Sequence, residues 1–304
     1  MEINGVTIED TYAEAFNVWA ARIIITAATK DWAFWAATEA TGFASSTIRC
    51  PCEAGIEAYL PPNTTPDHRP GYSILICSKK SAIKEQVLSR ISDCIMPVPT
   101  TAVFNGHVEM ENPDAEYLTL PVKLHYFGDK FEKKVKVGDI DCWSIPLMGG
   151  NFVIEEEVSA IRAIAGGNFF VLGNSQMAAL TAASVAAEAI KDVYGAITPF
   201  PGGVVSSGSK VGSKFYKFMT ASTNEKYCPT IREAVIEKGL KTNVPNGVKA
   251  VFEIVINGVN ETAVKNAMRA GIQTACTIPG VVMISAGNYG GNLGPYKFYL
   301  RDCI

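Results

Sequence analysis

The sequence predicts an α+β fold of two ferredoxin-like (βαββαβ) lobes, residues 1–148 and 149–304, related by a weak internal repeat. Three observations carry it. Short β-branched, apolar runs alternate with alanine-rich or amphipathic stretches that begin at cap residues. The order strand, helix, strand, then strand, helix, strand occurs once in each half. The halves also align. RIIITAATKDWAFWAATEATGF, from Arg22, corresponds to NFFVLGNSQMAALTAASVAAEAI, from Asn168, and GYSILICSKKSAIKEQVLSRI, from Gly71, corresponds to VFEIVINGVNETAVKNAMRAGI, from Val251. A cleft between such lobes is the natural place for a ligand.

The elements follow in order. Residues 1–16 show a brief apolar–polar alternation and an acidic turn. Ala20–Ala27 reads as a buried strand. Thr29 or Asp31 caps a helix over Trp32–Thr41 that Gly42 ends. Ser45–Cys50 is a candidate second strand, and Pro51–Gly71, with five prolines and CPCEAGIE, a loop. Tyr72–Cys77 is a strand. Ser81 caps a helix to Ile91 with Ile83, Val87 and Ile91 on one face. Residues 105–150 are irregular, with Gly149–Gly150 as a boundary candidate. In the second half Asn168–Leu172 is a strand, Ser175 caps a helix over Met177–Lys191, and Val251–Ile256 is a strand. Asn260–Ala275 is a helix with Val264, Ala267, Met268, Gly271 and Ile272 on one face, and Val281–Ala286 is the last strand.

The composition narrows the function. Of 304 residues, 48% are hydrophobic and 19% charged, ample for a large core. The net charge of −3 and the lack of a dense Lys/Arg tract give no footprint for nucleic acid. No apolar run is long enough to span a membrane. The acidic start MEINGVTIEDTYAEAF lacks a signal peptide's basic and apolar regions, so a cytoplasmic location is expected. Eight cysteines suit that compartment as free thiols. No two of them form a C-x-x-C pair, so no metal site is expected.

Thr198–Gly212, TPFPGGVVSSGSKVG, packs two prolines, four glycines and three serines into fifteen residues. It reads as a shaped loop whose freed backbone N–H groups can face an anion or oxyanion, or as an ordinary structural turn. Gly202, Gly203, Ser207, Ser209 and Lys210 are its binding candidates. Glu253 lies inside the apolar run Val251–Ile256 and shares a strand face with Val251 and Val255. A carboxylate there is desolvated, with its pKa raised toward general acid–base use, or else reaches water or a lysine at a sheet edge. Glu53 and Glu57 in CPCEAGIE are candidate anchors for polar ligand groups. Asp67 and Arg69 in PDHRPG are either a ligand contact or a local turn salt bridge. Tyr289, in GNYGG, lies against a flat ring or belongs to a plain turn. No P-loop, G-x-G-x-x-G or G-x-S-x-G pattern is present.

Several segments together carry a resemblance: ITPFPGGVVSSGSKVG, AGGNFF, CPCEAGIE, TPDHRPG, PTTAVF, STNEKYCPT, SAGNYGGNLG and the opening MEINGVTIEDTYAEAF. In this order they resemble the formylmethanofuran–tetrahydromethanopterin formyltransferase family over nearly the whole chain. The resemblance implies two ferredoxin-like lobes, a homodimer or tetramer, and clefts near subunit contacts. It also implies reversible formyl transfer from N-formylmethanofuran to N5 of tetrahydromethanopterin, in methanogenesis or in methylotrophs, where a hydrolase complex is an expected partner. Methanofuran and tetrahydromethanopterin are then carrier substrates, with no prosthetic group. Glu253 matches the family's acid–base carboxylate. Ser207, Ser209 and Lys210 match the glycine-proline loop, and Lys210 and Arg69 suit the carriers' carboxylates and phosphate. The chain departs from the family's pattern at His68 and Lys130, where glycine is usual, and at Asn105 and Asn151, where an acid is usual. A non-catalytic paralogue or carrier-binding subunit is the second reading, carried by these four positions.

Overall fold

The computed structural model describes residues 1–304. Its first half runs β1 (Glu2–Ile3), β2 (Val6–Ile8), β3 (Tyr12–Thr26), α1 (Lys30–Thr41), β4 (Glu53–Leu60), β5 (Gly71–Ser78), α2 (Ile83–Ser89), β6 (Ala102–Asn105), β7 (Tyr117–Pro121), β8 (Lys133–Val137), β9 (Ile140–Leu147) and β10 (Gly150–Glu155). The second half runs β11 (Glu157–Gly173), α3 (Gln176–Ile190), β12 (Ala196–Ile197), β13 (Ser209–Val211), β14 (Ala221–Thr223), α4 (Arg232–Glu237), β15 (Ala250–Gly258), α5 (Glu261–Ala275), β16 (Val281–Ser285) and β17 (Tyr296–Tyr299). The result is a mixed α/β fold. Fifteen strands form one mixed sheet, and β13 and β14 form a separate hairpin.

Pairing repeats between the halves. In the first, neighbours run β6–β3–β5–β4, and in the second β16–β11–β15–β12, all antiparallel. Register repeats too. Ile24 of β3 lies opposite Ser73 of β5 and Phe104 of β6. Phe170 of β11 lies opposite Glu253 of β15 and Ser285 of β16. Ile24 with Phe170, and Ser73 with Glu253, are matched positions of the two aligned segments. The halves join where β3 and β11 pair antiparallel over Phe16–Ala21 and Ala160–Ala165.

Helices cover one face of each half. Thr29, Ser175 and Asn260 cap α1, α3 and α5, each side chain accepting from an N–H three residues on. Under α1 and α2 lie Ile23, Ile25, Ile74 and Ile76, and under α3 and α5 lie Phe169, Val171, Ile254 and Ile256. Alanines at 179, 182, 183, 186 and 187 let α3 approach closely. All eight cysteines are free thiols. No helix is long and apolar enough to cross a membrane.

Several elements differ from expectation. The first long strand begins at Tyr12, not Ala20, because Glu14 is buried and paired there in spite of its charge. Ser45–Cys50 is not a strand, whereas Glu53 and Glu57, expected in a loop, sit on β4. Their carboxylates are satisfied by Asn257 and Arg22, partners far away in the sequence. Ser81 caps nothing: α2 starts at Ile83 after Ala82, and its chain continues as a π-helical turn over Arg90–Ile95. The stretch 105–150 holds β7, β8 and β9, and Gly149–Gly150 lies in the β9–β10 hairpin turn. The end of the shaped loop, Ser209–Val211, is a strand paired with Ala221–Thr223.

Candidate active site

The face of the second half opposite its helices carries a lateral row of four residues. Ser285, Phe170, Glu253 and Val205 lie side by side across neighbouring strands. Directly opposed residues project from the same face, with Cβ atoms about 5 Å apart. Glu253 thus stands between Phe170 and Val205. The glycine-proline loop is bonded to this strand: Val205 N donates to Glu253 O at 2.8 Å, and Glu253 N donates to Val205 O at 3.0 Å.

Phe170, Glu253 and Val205 of this row floor a cavity of about 730 Å³. Glu253 is half-buried, and burial pushes its carboxyl up to about 7. The glycine-proline loop and β13 form one wall, with Ser207, Ser209 and Lys210. Lys210 and Lys214 both bind Glu225, Lys214 at 2.7 Å, and Lys210 also donates to Thr223 O at 2.8 Å. Burial works to raise Glu225, but the two ammonium groups dominate and hold it at about 2. One carboxylate therefore fixes two cations at this wall.

The opposite wall is the Gly287–Gly294 loop with Tyr289. Asn168 fixes its entry, accepting from Gly287 N at 2.6 Å and donating to Gly287 O at 3.2 Å. Glu14, only 1% exposed, accepts backbone N–H bonds from Tyr289 at 2.8 Å, Gly291 at 3.1 Å, Gly294 at 3.1 Å, and Leu293. Burial alone would raise this acid; the four donors overcome burial and lower it. Behind the lining, the buried Ser285 donates to Glu9 and bonds Tyr227 at 3.1 Å, both of them cavity residues.

Of the sequence candidates, the cavity gathers Glu253, Ser207, Ser209, Lys210 and Tyr289. Gly202 and Gly203 lie off its lining and shape the loop. Gly203 has φ 77°, and a Cβ there would sit 2.7 Å from Ala187 Cβ and Thr198 Oγ1. Arg69 lies apart, bonded to Asp67 at 2.7 Å, Thr100 O at 2.6 Å and Thr26 at 3.1 Å, the arrangement of a turn salt bridge. Glu53 stands one layer behind the cavity and accepts from Asn257 Nδ2 at 2.7 Å. Burial raises its pKa against the hydrogen bonds of Asn257 and of Ser46, a residue of the lining.

Sequence reasoning missed Glu9, Glu14, Asn168 and Glu225. For Glu14 the signal was present, an acid between alanines in an apolar strand, the same sign that marked Glu253.

A family model described as "Formylmethanofuran-tetrahydromethanopterin formyltransferase" matches residues 1–147, and one described as "FTR, proximal lobe" matches residues 150–303. A formylmethanofuran–tetrahydromethanopterin formyltransferase of Methanosarcina acetivorans is 55% identical over 304 residues, covering 99% of each chain. The chain belongs to the formylmethanofuran–tetrahydromethanopterin formyltransferase family. The solved formyltransferase of Methanosarcina barkeri superposes with a TM-score of 0.93 at 53% identity, covering 100% of both chains. A chain of the formyltransferase/hydrolase complex of Methylorubrum extorquens, solved with methylofuran, superposes with a TM-score of 0.90 at 42% identity, covering 100% of this chain and 98% of that one.

The four departures from the formyltransferase pattern all lie off the cavity lining. His68 and Lys130 take the left-handed backbone that glycine favours, with φ 56° and 72°. Asn105 is fully engaged: its Oδ1 accepts from Ser159 N, Ser159 Oγ and His107 N, and its N–H donates to Glu155 at 2.8 Å. Asn151 is exposed on β10.

Proposed function

We propose that this chain transfers a formyl group reversibly between N-formylmethanofuran and N5 of tetrahydromethanopterin, both bound at once. The observation that carries this is Glu253, raised to about 7 inside a cavity whose wall is the glycine-proline loop. An amine attacking a formamide forms one C–N bond and breaks another. One proton must pass from the attacking to the departing nitrogen. A carboxyl poised near neutrality takes it in one step and returns it in the next. Ser207, Ser209 and Tyr289 bring hydroxyls to the cavity wall, where a tetrahedral oxyanion needs donors. Lys210 supplies positive charge for a carrier's carboxylate or phosphate. Electrons are conserved, so the carriers are substrates and no prosthetic group enters the reaction. With all four departures off the cavity, nothing favours a non-catalytic paralogue.

The finer architecture belongs to the same reading. Two ferredoxin-like lobes, 1–148 and 149–304, are supported by the repeated pairing order and by family models meeting at residues 147 and 150. Strand pairing keeps β10 with the first lobe's β6 and β9. A homodimer or tetramer is supported by exposed aromatics such as Phe215 and Phe218 beside the cavity wall. Free thiols support a cytoplasmic location. A hydrolase partner is named for the Methylorubrum extorquens complex, and copurification from the native source tests it here. For the reaction, purified protein given formylmethanofuran and tetrahydromethanopterin should form 5-formyl-tetrahydromethanopterin, followed by absorbance. Tight binding of both carriers without turnover would reject the proposal.

A further inference from the structure

We propose that Glu14 is a positioning residue for the transfer: its carboxylate holds the Tyr289–Gly294 backbone so that Tyr289 covers Glu253 and keeps water from it. The inference rests on the proton-shuttle role of Glu253.

Glu14 lies at the second-half end of β3, opposite Lys297 of β17, and is fully enclosed. Four converging N–H donors come from a six-residue stretch whose Gly290 and Gly291 have φ 71° and 83°. Such a loop has no sheet or helix to satisfy its amides, so the buried carboxylate is its template. The donors satisfy the carboxylate in turn, so the charge stays ionised. Asn288 and Asn168 tie down the entry, Asn288 Nδ2 donating to Thr11 Oγ1 at 3.1 Å. Tyr289 is thereby carried into the cavity that holds Glu253, and its own phenol is raised by burial and then by the charges of Glu253 and Glu14.

Other charged and titratable groups face the same space. Glu9 comes from the segment after β2, Lys210 from β13, and Glu225, Lys226 and Tyr227 from the turn before α4. None of them is held by the Tyr289–Gly294 amides, so a change confined to that loop leaves their positions intact. Removing the cover hydrates Glu253, and hydration lowers a carboxyl that burial had raised.

The test follows the titration of Glu253 in carrier-free protein by isotope-edited infrared spectroscopy, with Glu253→Gln assigning the band. In parallel it records the pH dependence of kcat/KM. In Glu14→Gln one acceptor becomes a donor facing N–H groups, and the loop is released. Its Glu253 titration should fall by about one unit or more, and kcat/KM by about tenfold or more. Glu14→Gln also removes a negative charge, so Tyr289→Ala separates the causes: it keeps that charge and should still lower the titration. Tyr289 is half-exposed, so this variant folds and decides the matter if Glu14→Gln does not. A Tyr289→Ala titration equal to wild type overturns the proposal. So does a Glu14→Gln protein that loses activity with its Glu253 titration unmoved. Wild-type protein that transfers no formyl group, while the infrared titration responds as described, removes the proposed reaction and leaves the positioning role standing.

Discussion

At Glu253 the burial that raises the carboxyl toward neutrality also opposes folding once it must ionise. Its folded pKa is about 7, against an ordinary carboxyl value of 4.5. Its contribution to stability is therefore fully present below the unfolded pKa and lost as pH rises through 7. The gap is worth up to about 3 kcal/mol, less where solvent reaches the group. Glu253→Gln should raise Tm by a few degrees at pH 8, with a smaller gain at pH 5, in paired thermal melts. The same variant should lower kcat by about 10²–10⁴-fold; a loss under tenfold would remove Glu253 from the proton shuttle. The departures make a separate residue-scale case. His68 and Lys130 hold left-handed φ values, which cost an L-residue about 1–2 kcal/mol against glycine. His68→Gly and Lys130→Gly should each stabilise by up to about 1 kcal/mol after the glycine's own chain entropy. Urea unfolding measures this, and kcat should be unchanged because neither residue lines the cavity.

Among the elements, the glycine-proline segment links helix packing to the site. Gly203 is buried against α3, and two residues later Val205 bridges to Glu253. Gly203→Ala adds a left-handed φ cost and a clash with Ala187 and Thr198, together about 2–4 kcal/mol. Gly202, with φ 65° and open space around it, should lose only about 1 kcal/mol as alanine. Urea unfolding separates the two, and kcat should fall for Gly203→Ala alone although it touches no substrate. This loop was legible because glycine and proline act locally. So were the caps at Thr29 and Ser175 and the buried stripe of α5, whose signals lie within one or two turns. The strand β4 was not legible. Its Glu57 reads as a loop residue until Arg22, thirty-five positions away, is seen to donate to it at 2.7 Å through Nε and Nη2. The four-donor nest around Glu14 is equally hidden, since its loop lies some 275 residues further along the chain.

For the whole molecule, the repeat places equivalent faces in both halves, yet one opens onto a cavity and the other is sealed. Where the second half has Asn168 and Glu253, the first has Arg22 and Ser73. Arg22 is 2% exposed, forked onto Glu57 and bonded to Glu111. The seal comes partly from the other half: Gly195 N donates to Glu57 at 2.9 Å, the Tyr194 ring lies 4.6 Å from the Arg22 guanidinium, and its hydroxyl donates to Glu111 at 2.8 Å. The Glu53–Asn257 bond crosses the same divide. The long strands cross it as well. β3 starts beside β17, and β11 starts beside β7. Residues 1–148 alone would expose Phe16–Ala21 as an unpaired edge and leave Glu57 short of a donor. That fragment should therefore be unfolded or aggregated by circular dichroism. The full chain should melt in a single calorimetric transition, with van't Hoff and calorimetric enthalpies in a ratio of about 1. A stable fragment, or two resolved transitions, would mean that each half folds independently and that the cavity forms by docking of finished lobes. A single transition would mean that Glu253 gains its environment only when both long strands have paired, so that site and fold form together.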